Sequence, residues 1–317
     1  MANTSPPLPK AFIWRRLHSL TGLWLVGFLI MHLLANSQAA LWVGDDASGF
    51  VKTVTGIHDL PYLYAIEILF IAIPFLIHSI WGIQYLFTSR SNSRSSDGTT
   101  PALAEYPRNQ AYTWQRITSW ILLIGITAHV IQMRFLEEPS YAQLDIDKYY
   151  MVRVGNDPGL YPLAARLGFD IYDAPQVQQE KERFAALQDP GTDSDSPQDL
   201  VRQQEYRQEG DWIAALEQRP LDDNQVIAVS NSFGLAELLM VRETFKSPLM
   251  LILYTFLVIS TCFHAFNGLW TFLITWGVTL SVKSQRLARR ISTALMLLVT
   301  FLGLAAIWGT YWVNLKQ

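Results

Sequence analysis

Five apolar stretches, each long enough to cross a bilayer as a helix, constrain this chain more than any other feature. A hydrocarbon core of ~30 Å takes ~20 helical residues. The stretches run approximately from Leu20 to Leu41, Tyr62 to Phe87, Ile117 to Leu136, Pro248 to Val282 and Ile291 to Val313. The fold class they predict is an all-α membrane protein of five transmembrane helices. The fourth stretch has 35 residues, which at ~1.5 Å each would reach ~52 Å. It predicts a tilted helix projecting beyond the membrane, with Gly268 and Gly277 as points where it could bend.

Lysine and arginine in the short flanks give the orientation. Lys10, Arg15 and Arg16 precede the first span; Arg90, Arg94, Arg108 and Arg116 lie between the second and third; Lys283, Arg286, Arg289 and Arg290 lie between the fourth and fifth. These segments share one side, so the N-terminus is expected in the cytoplasm and the C-terminus outside, with Trp308, Tyr311 and Trp312 as an interfacial anchor. The Ser-rich run from Ser89 to Ser96 reads as a cytoplasmic linker. With no small-residue cleavage site near the start, the first span is expected to stay as a membrane helix.

Charge is divided as unevenly as hydrophobicity. Residues 137–243 carry 21 of the 27 acidic residues and 9 of the 24 basic ones, a balance of −12 against +9 for the remainder. That reads as spans one to three (1–136), an acidic extracytoplasmic insert (137–243) and spans four and five (244–317). Within the insert, residues 174–189 and 197–217 are rich in helix formers and flank DPGTDSDS, which predicts a helical hairpin. Its apolar content is thin, so a solvated cap packed on the outer loops is expected rather than a separate core.

Cys262 is the only cysteine, which excludes disulfides, cysteine-ligated Fe–S clusters and Cys-rich zinc sites within the chain. Four of the six histidines lie inside spans: His32, His78, His129 and His264, one on each of the first four helices. A lone intramembrane histidine commonly just hydrogen-bonds a neighbouring helix. One on each of four helices instead suits bis-histidine haem ligation, which needs two facing helices per haem. Depth sorts them. His32, 16 residues after Arg16, and His129, 13 after Arg116, lie ~24 and ~20 Å from the cytoplasmic edge. His78, 17 residues after Pro61, and His264, 16 after Pro248, lie ~25 and ~24 Å from the outer edge. The expected pairs are His32 with His129 outside and His78 with His264 inside. His18 falls ~40° from His32 on helix one, and with Ser19 it is either an inner-haem propionate partner or an interfacial polar residue.

With these residues placed, the chain resembles the cytochrome b subunit of succinate:quinone oxidoreductases, the single-subunit, five-helix, di-haem type. The resemblance rests on RRLHSLTG (15–22) with MHLLANS (31–37), on HDLPYLYAIEILFIAIPFLIHSIWGIQY (58–85), on HVIQMRF (129–135) and on FHAFNGLWTFLITWGVTLSVKSQR (263–286). It implies two b haems with those four histidines as axial ligands, and a flavoprotein and an Fe–S subunit on the cytoplasmic face. It also implies a quinone (menaquinone by expectation) exchanging electrons with them, and a bacterial cytoplasmic membrane; no nucleic-acid partner is expected. A di-haem cytochrome of a hydrogenase or nitrate reductase, and a haem-free anchor or transporter, are the alternative readings.

Glu67 marks a candidate quinone site. It lies ~9 Å inside the outer end of helix two and, on a uniform α-helix, ~20° from His78, so it would face the bundle. A carboxylate there is costly unless functional, and it could relay protons to a quinone, with His58 and Asp59 at the entrance. The other reading is a neutral Glu67 bonded to a neighbouring helix or to an outer-haem propionate. Arg134, five residues after His129, is either a propionate partner or a snorkelling interfacial charge.

Overall fold

The computed structural model describes residues 9–42, 45–88, 105–191 and 196–316, so the linker expected at Ser89 to Ser96 lies outside the described residues. In chain order come α1 (Lys10–Leu41), α2 (Ser48–His58), α3 (Leu63–Glu67) and α4 (Ile73–Thr88), the last two joined by a π-helical turn, Ile68–Ala72. α5 (Pro107–Ile131) ends in a second such turn, Gln132–Leu136, and leads to β1 (Ser140–Leu144) and β2 (Asp147–Gly155). Then follow α6 (Leu160–Leu167), β3 (Asp170–Tyr172), α7 (Ala174–Ala185), α8 (Pro197–Glu217), β4 (Gln225–Ser230) and α9 (Phe233–Lys246). The chain closes with α10 (Pro248–Thr275), α11 (Val282–Leu304) and a π-helical segment, Ala305–Leu315.

Among the described residues five helical runs are long and apolar enough to span a membrane: Lys10–Leu41, Leu63–Thr88, Arg108–Leu136, Pro248–Thr275 and Val282–Leu315. The membrane part is all-α and multi-pass, as expected. The fourth run is shorter than expected because a C-cap stops it. Gly277 is left-handed at φ 71°, its N–H bonds the Ile274 carbonyl at 3.0 Å, and that of Val278 bonds the Leu273 carbonyl at 2.9 Å. This is the Schellman arrangement, in which a glycine reverses the chain at no steric cost.

The chain forms two compact units. The helical unit comprises residues up to Leu34, Pro61–His129 and Leu253–Leu304; the other comprises Ala35–Leu60, Val130–Ile252 and Ala305 onward. The second is an α/β body. Its sheet runs β1-β2-β4-β3, every pair antiparallel, and side chains two apart share a face. Val226 and Ala228 of β4 join Tyr150, Val152 and Val154 of β2 in one buried cluster with Leu160, Leu163, Leu238 and Leu239. Ile227 and Val229 join Met151, Trp212, Ile213 and Leu216 in the other.

The hairpin of α7 and α8 is present, tied by Lys181–Glu217 (2.6 Å) and Arg183–Glu209 (2.8 Å). The expected coreless cap is not: α8 covers one face of a sheet with two cores. Residues 35–60 and 305 onward supply part of this body, and Leu315 is fully buried in it, so its limits differ from the single insert 137–243. Segments distant in sequence thus contribute to one of the two cores, while the other lies wholly within 137–243.

Arg242 locks this assembly from within. It is fully buried, grips Asp157 with two hydrogen bonds of 2.9 and 3.0 Å, donates to the Leu315 carbonyl at 3.1 Å and lies 5.4 Å from the Tyr311 ring centre. Burial alone would raise the Asp157 carboxyl, but hydrogen bonds from Arg242 and Lys246, with their charges, hold it below the ordinary carboxylate value. Removing Arg242 takes two hydrogen bonds from the half-buried Asp157, which keeps Lys246 at 3.0 Å, so the cost is below the about 3–5 kcal/mol of a fully stranded buried charge. Arg242→Met should therefore lower the unfolding midpoint of the α/β unit in the detergent-solubilised full chain, read by thermal melting with limited proteolysis. An unchanged midpoint would show that the cluster does not hold the segment.

Candidate functional site

His18, His32, His78, His129 and His264 all belong to the helical unit. α1 and α5 bring His32 and His129 to a ring-centre distance of 6.0 Å, with planes crossed at 73°. α4 and α10 bring His78 and His264 to 6.2 Å, crossed at 80°. Two imidazoles on opposite sides of one metal, with nitrogen–metal bonds of about 2.0–2.1 Å and ring radii of about 1.1 Å, have centres about 6.3 Å apart. Both pairs fit that spacing. Among the described residues no group of three or more His, Cys, Asp or Glu could hold a metal, so an ion held here must bring its other ligands, as iron in a porphyrin does.

Nδ1 has a polar neighbour in three of the four rings. His78 Nδ1 lies 3.1 Å from the His18 carbonyl, and His18 Nδ1 3.1 Å from that of His78. A carbonyl only accepts, so both rings carry their proton on Nδ1 and keep the Nε2 lone pair. The two rings stack at 4.1 Å, and Gly22 makes room, since a Cβ there would stand 2.9 Å from His78 Cε1. His129 Nδ1 meets the Tyr254 hydroxyl at 3.2 Å. His264 Nδ1 faces Thr118 and Ser119 at 3.4 and 3.5 Å, whose hydroxyl protons go to the carbonyls of Trp114 and Gln115. A metal-bound histidine commonly needs such a partner on its other nitrogen to fix its tautomer and raise its basicity.

Between Glu67 and His78 the helix is not uniform. Pro74 has no N–H, so the Phe70 carbonyl loses its usual donor four residues on. The helix widens into the Ile68–Ala72 π-turn, and the Trp24 indole N–H supplies the bond to the Phe70 carbonyl at 2.6 Å. A π-turn advances less per residue than an α-helix, so the ~20° offset expected from uniform 100° steps does not apply. Glu67 ends α3, half-buried, with partners of its own.

The remaining expected residues have these partners. Ser19 Oγ accepts from the Trp276 indole at 3.2 Å. Arg134 pairs with Glu138 four residues on. His58 stacks on Phe233 at 3.7 Å and its Nε2 meets the Tyr150 hydroxyl at 3.2 Å; burial lowers its pKa against the opposing charge of Asp59. Asp59 caps α2 through its backbone N–H on the Thr55 carbonyl. Tyr254 and Trp24 escaped the sequence reading, because one aromatic among many in an apolar run carries no periodic signal. Pro74, inside a span, was the available hint of the π-turn.

A helical membrane protein presenting two facing imidazole pairs, each spaced for one metal, is the class that fold and site define. The succinate dehydrogenase cytochrome b558 subunit of Bacillus subtilis (strain 168) is 25% identical over 301 residues, 95% of this chain and 97% of that protein. The chain is thus similar, over nearly its whole length, to a succinate dehydrogenase cytochrome b subunit, which bears out the resemblance carried by the four histidine-bearing stretches. No family model matches, and no solved structure does.

The α/β unit holds a titratable group that the sequence reading passed over. Glu237 on α9 is half-buried; burial pushes its carboxyl up to about 8, the charge of Glu138 adding to the effect and that of Arg134 opposing it. A carboxyl raised above its unfolded value of 4.5 binds a proton that the unfolded chain has released, so stability falls as pH rises from 4.5 to about 8 and is level beyond. Glu237→Gln should remove this slope, a difference on the order of a few kcal/mol at pH 8. Melting curves of both forms across that range check it, and parallel curves would place the charge elsewhere.

Proposed function

We propose that this chain is the di-haem b membrane anchor of a succinate:quinone oxidoreductase, standing between its Fe–S subunit and a membrane quinone, with menaquinone as that quinone. The observation that carries this reading is the pair of imidazole pairs, 6.0 and 6.2 Å apart, on four of the five spanning helices. The cytochrome b name of the full-length relative supports haem b as the ligand. By the positive-inside charges, His78 and His264 serve the haem on the cytoplasmic side, where the flavoprotein and Fe–S subunits dock. His32 and His129 serve the outer one, in a bacterial cytoplasmic membrane. The bound haems supply one-electron transfer.

The protein's own contribution is orientation. The His18 carbonyl, the Tyr254 phenol and the Thr118 and Ser119 hydroxyls hold Nδ1 of the three imidazoles and leave Nε2 for iron. Five substitutions and one redox titration test the assignment. Wild-type protein should carry two haems per chain with a b-type difference spectrum. His32→Ala or His129→Ala should each lose one haem, and His78→Ala or His264→Ala the other. A wild type without an α-band would end the haem reading. Tyr254→Phe should keep both haems but raise the midpoint potential of the one lost in His129→Ala, because an imidazole without its acceptor is less basic and stabilises ferric iron less.

The quinone site of this proposal lies at the outer end of the bundle, where Glu67 relays protons. Quinone reduction consumes protons, and a carboxylate in a membrane helix is a functional candidate by default. Glu67→Gln keeps the shape without the titratable proton. It should retain both haems and succinate oxidation with an artificial dye, yet lose most turnover with quinone; normal quinone turnover would remove Glu67 from the mechanism.

A further inference from the structure

A cavity of about 170 Å³ opens in the helical unit between α5, α10 and α11. It is separate from the His78–His264 pair: His264 turns Nδ1 toward Thr118 and Ser119, whereas the cavity is lined by Phe263, Phe266, Asn267 and Trp270 of α10. At one end stand two guanidinium groups, Arg108 of α5 and Arg289 of α11. Arg108 is steadied by Gln285 and by the Trp270 ring 6.0 Å away. Both arginines are exposed, and neither forms an ion pair among the described residues. Ser292 also lines the cavity. It is only 3% exposed.

The wall changes character along the helices. Seven residues from Arg289 is Met296, and seven from Trp270 is Phe263, about 10 Å of helix in each case. One end therefore offers two positive charges and the Ser292 hydroxyl, and the other only apolar surface. A neutral ligand would leave the charges unmet, and the volume falls short of the roughly 300–1,000 Å³ of sites that enclose a whole small molecule. A headgroup fits this space, and basic pockets between spanning helices on the positive side suit anionic lipid headgroups.

We propose that this cavity binds the phosphate-bearing headgroup of an anionic phospholipid, with its acyl chain lying along Phe263 and Met296. The phosphodiester bridges Arg108 and Arg289, and Ser292 donates to a headgroup oxygen. A lipid seated so ties α11 to α5 and α10 without any protein–protein ion pair.

The test uses the full chain with whatever subunits co-purify, exchanged into phosphatidylcholine nanodiscs. Doping these with phosphatidylglycerol should raise the unfolding temperature and leave a phosphatidylglycerol adduct in native mass spectra. More phosphatidylcholine should do neither, and nor should inorganic phosphate. The doubly substituted Arg108→Gln, Arg289→Gln chain should lose both responses. Thr293→Trp, which fills the cavity but keeps both charges, should lose the adduct as well. An equal shift with inorganic phosphate would make this a free-anion site, and an equal shift with phosphatidylcholine would remove the charge recognition. Should the substituted chains fail to fold, the wild-type comparison of the two lipids and phosphate decides alone.

Discussion

An imidazole in a membrane helix has two ring nitrogens and no water to satisfy them. Everything about the paired histidines follows from where the first nitrogen goes. At His78 it meets a backbone carbonyl of α1, at His129 a phenol of α10, and at His264 two hydroxyls of α5. With Nδ1 engaged, Nε2 is the nitrogen left over on these rings, and the ring centres of the two pairs stand at 6.0 and 6.2 Å. The partners differ in acceptor strength, so sites alike in ligand type are unlike in electronic surroundings.

The spanning helices reach this arrangement through their irregularities. Pro74 removes a donor and opens a π-turn, and the stranded Phe70 carbonyl is taken up by Trp24 of α1. The defect in one helix thereby becomes a hydrogen bond between two. Gly277 stops α10 after 28 residues. His18 and His78 bind each other's backbone, with Gly22 clearing the space. In hydrocarbon such bonds have few competitors, so each weighs on how the helices pack.

The α/β unit obeys a different economy. Its central strands are buried on both faces, and one of its two cores draws on residues 35–60 and 305 onward while the other lies wholly within 137–243. Arg242 is the extreme case: a fully buried cation made tolerable by two bonds to Asp157, a carbonyl and an aromatic ring. Glu237 is the converse, a half-buried carboxyl whose nearest opposing charge, Arg134, is already paired with Glu138.

Much was legible in the chain itself. Hydropathy marked the five spans, because length and apolarity are local properties. Counting rise from the flanking arginines and prolines paired His32 with His129 and His78 with His264, and those are the rings that stand within 6.2 Å. Helix formers marked α7 and α8. What could not be read depended on atoms far apart in sequence. The sheet pairs residues near 150 with residues near 228, and QVIAVS is too short an apolar run to declare itself a strand. The phase of Glu67 relative to His78 turned on one missing N–H at Pro74, which breaks the assumption of equal steps. The sequence by itself determined which segments are long and apolar enough to span a membrane and which imidazoles stand together. Only the tertiary structure decided what each Nδ1 touches, because a hydrogen bond depends on ångström placement of side chains from different helices, and periodicity within one helix does not encode that.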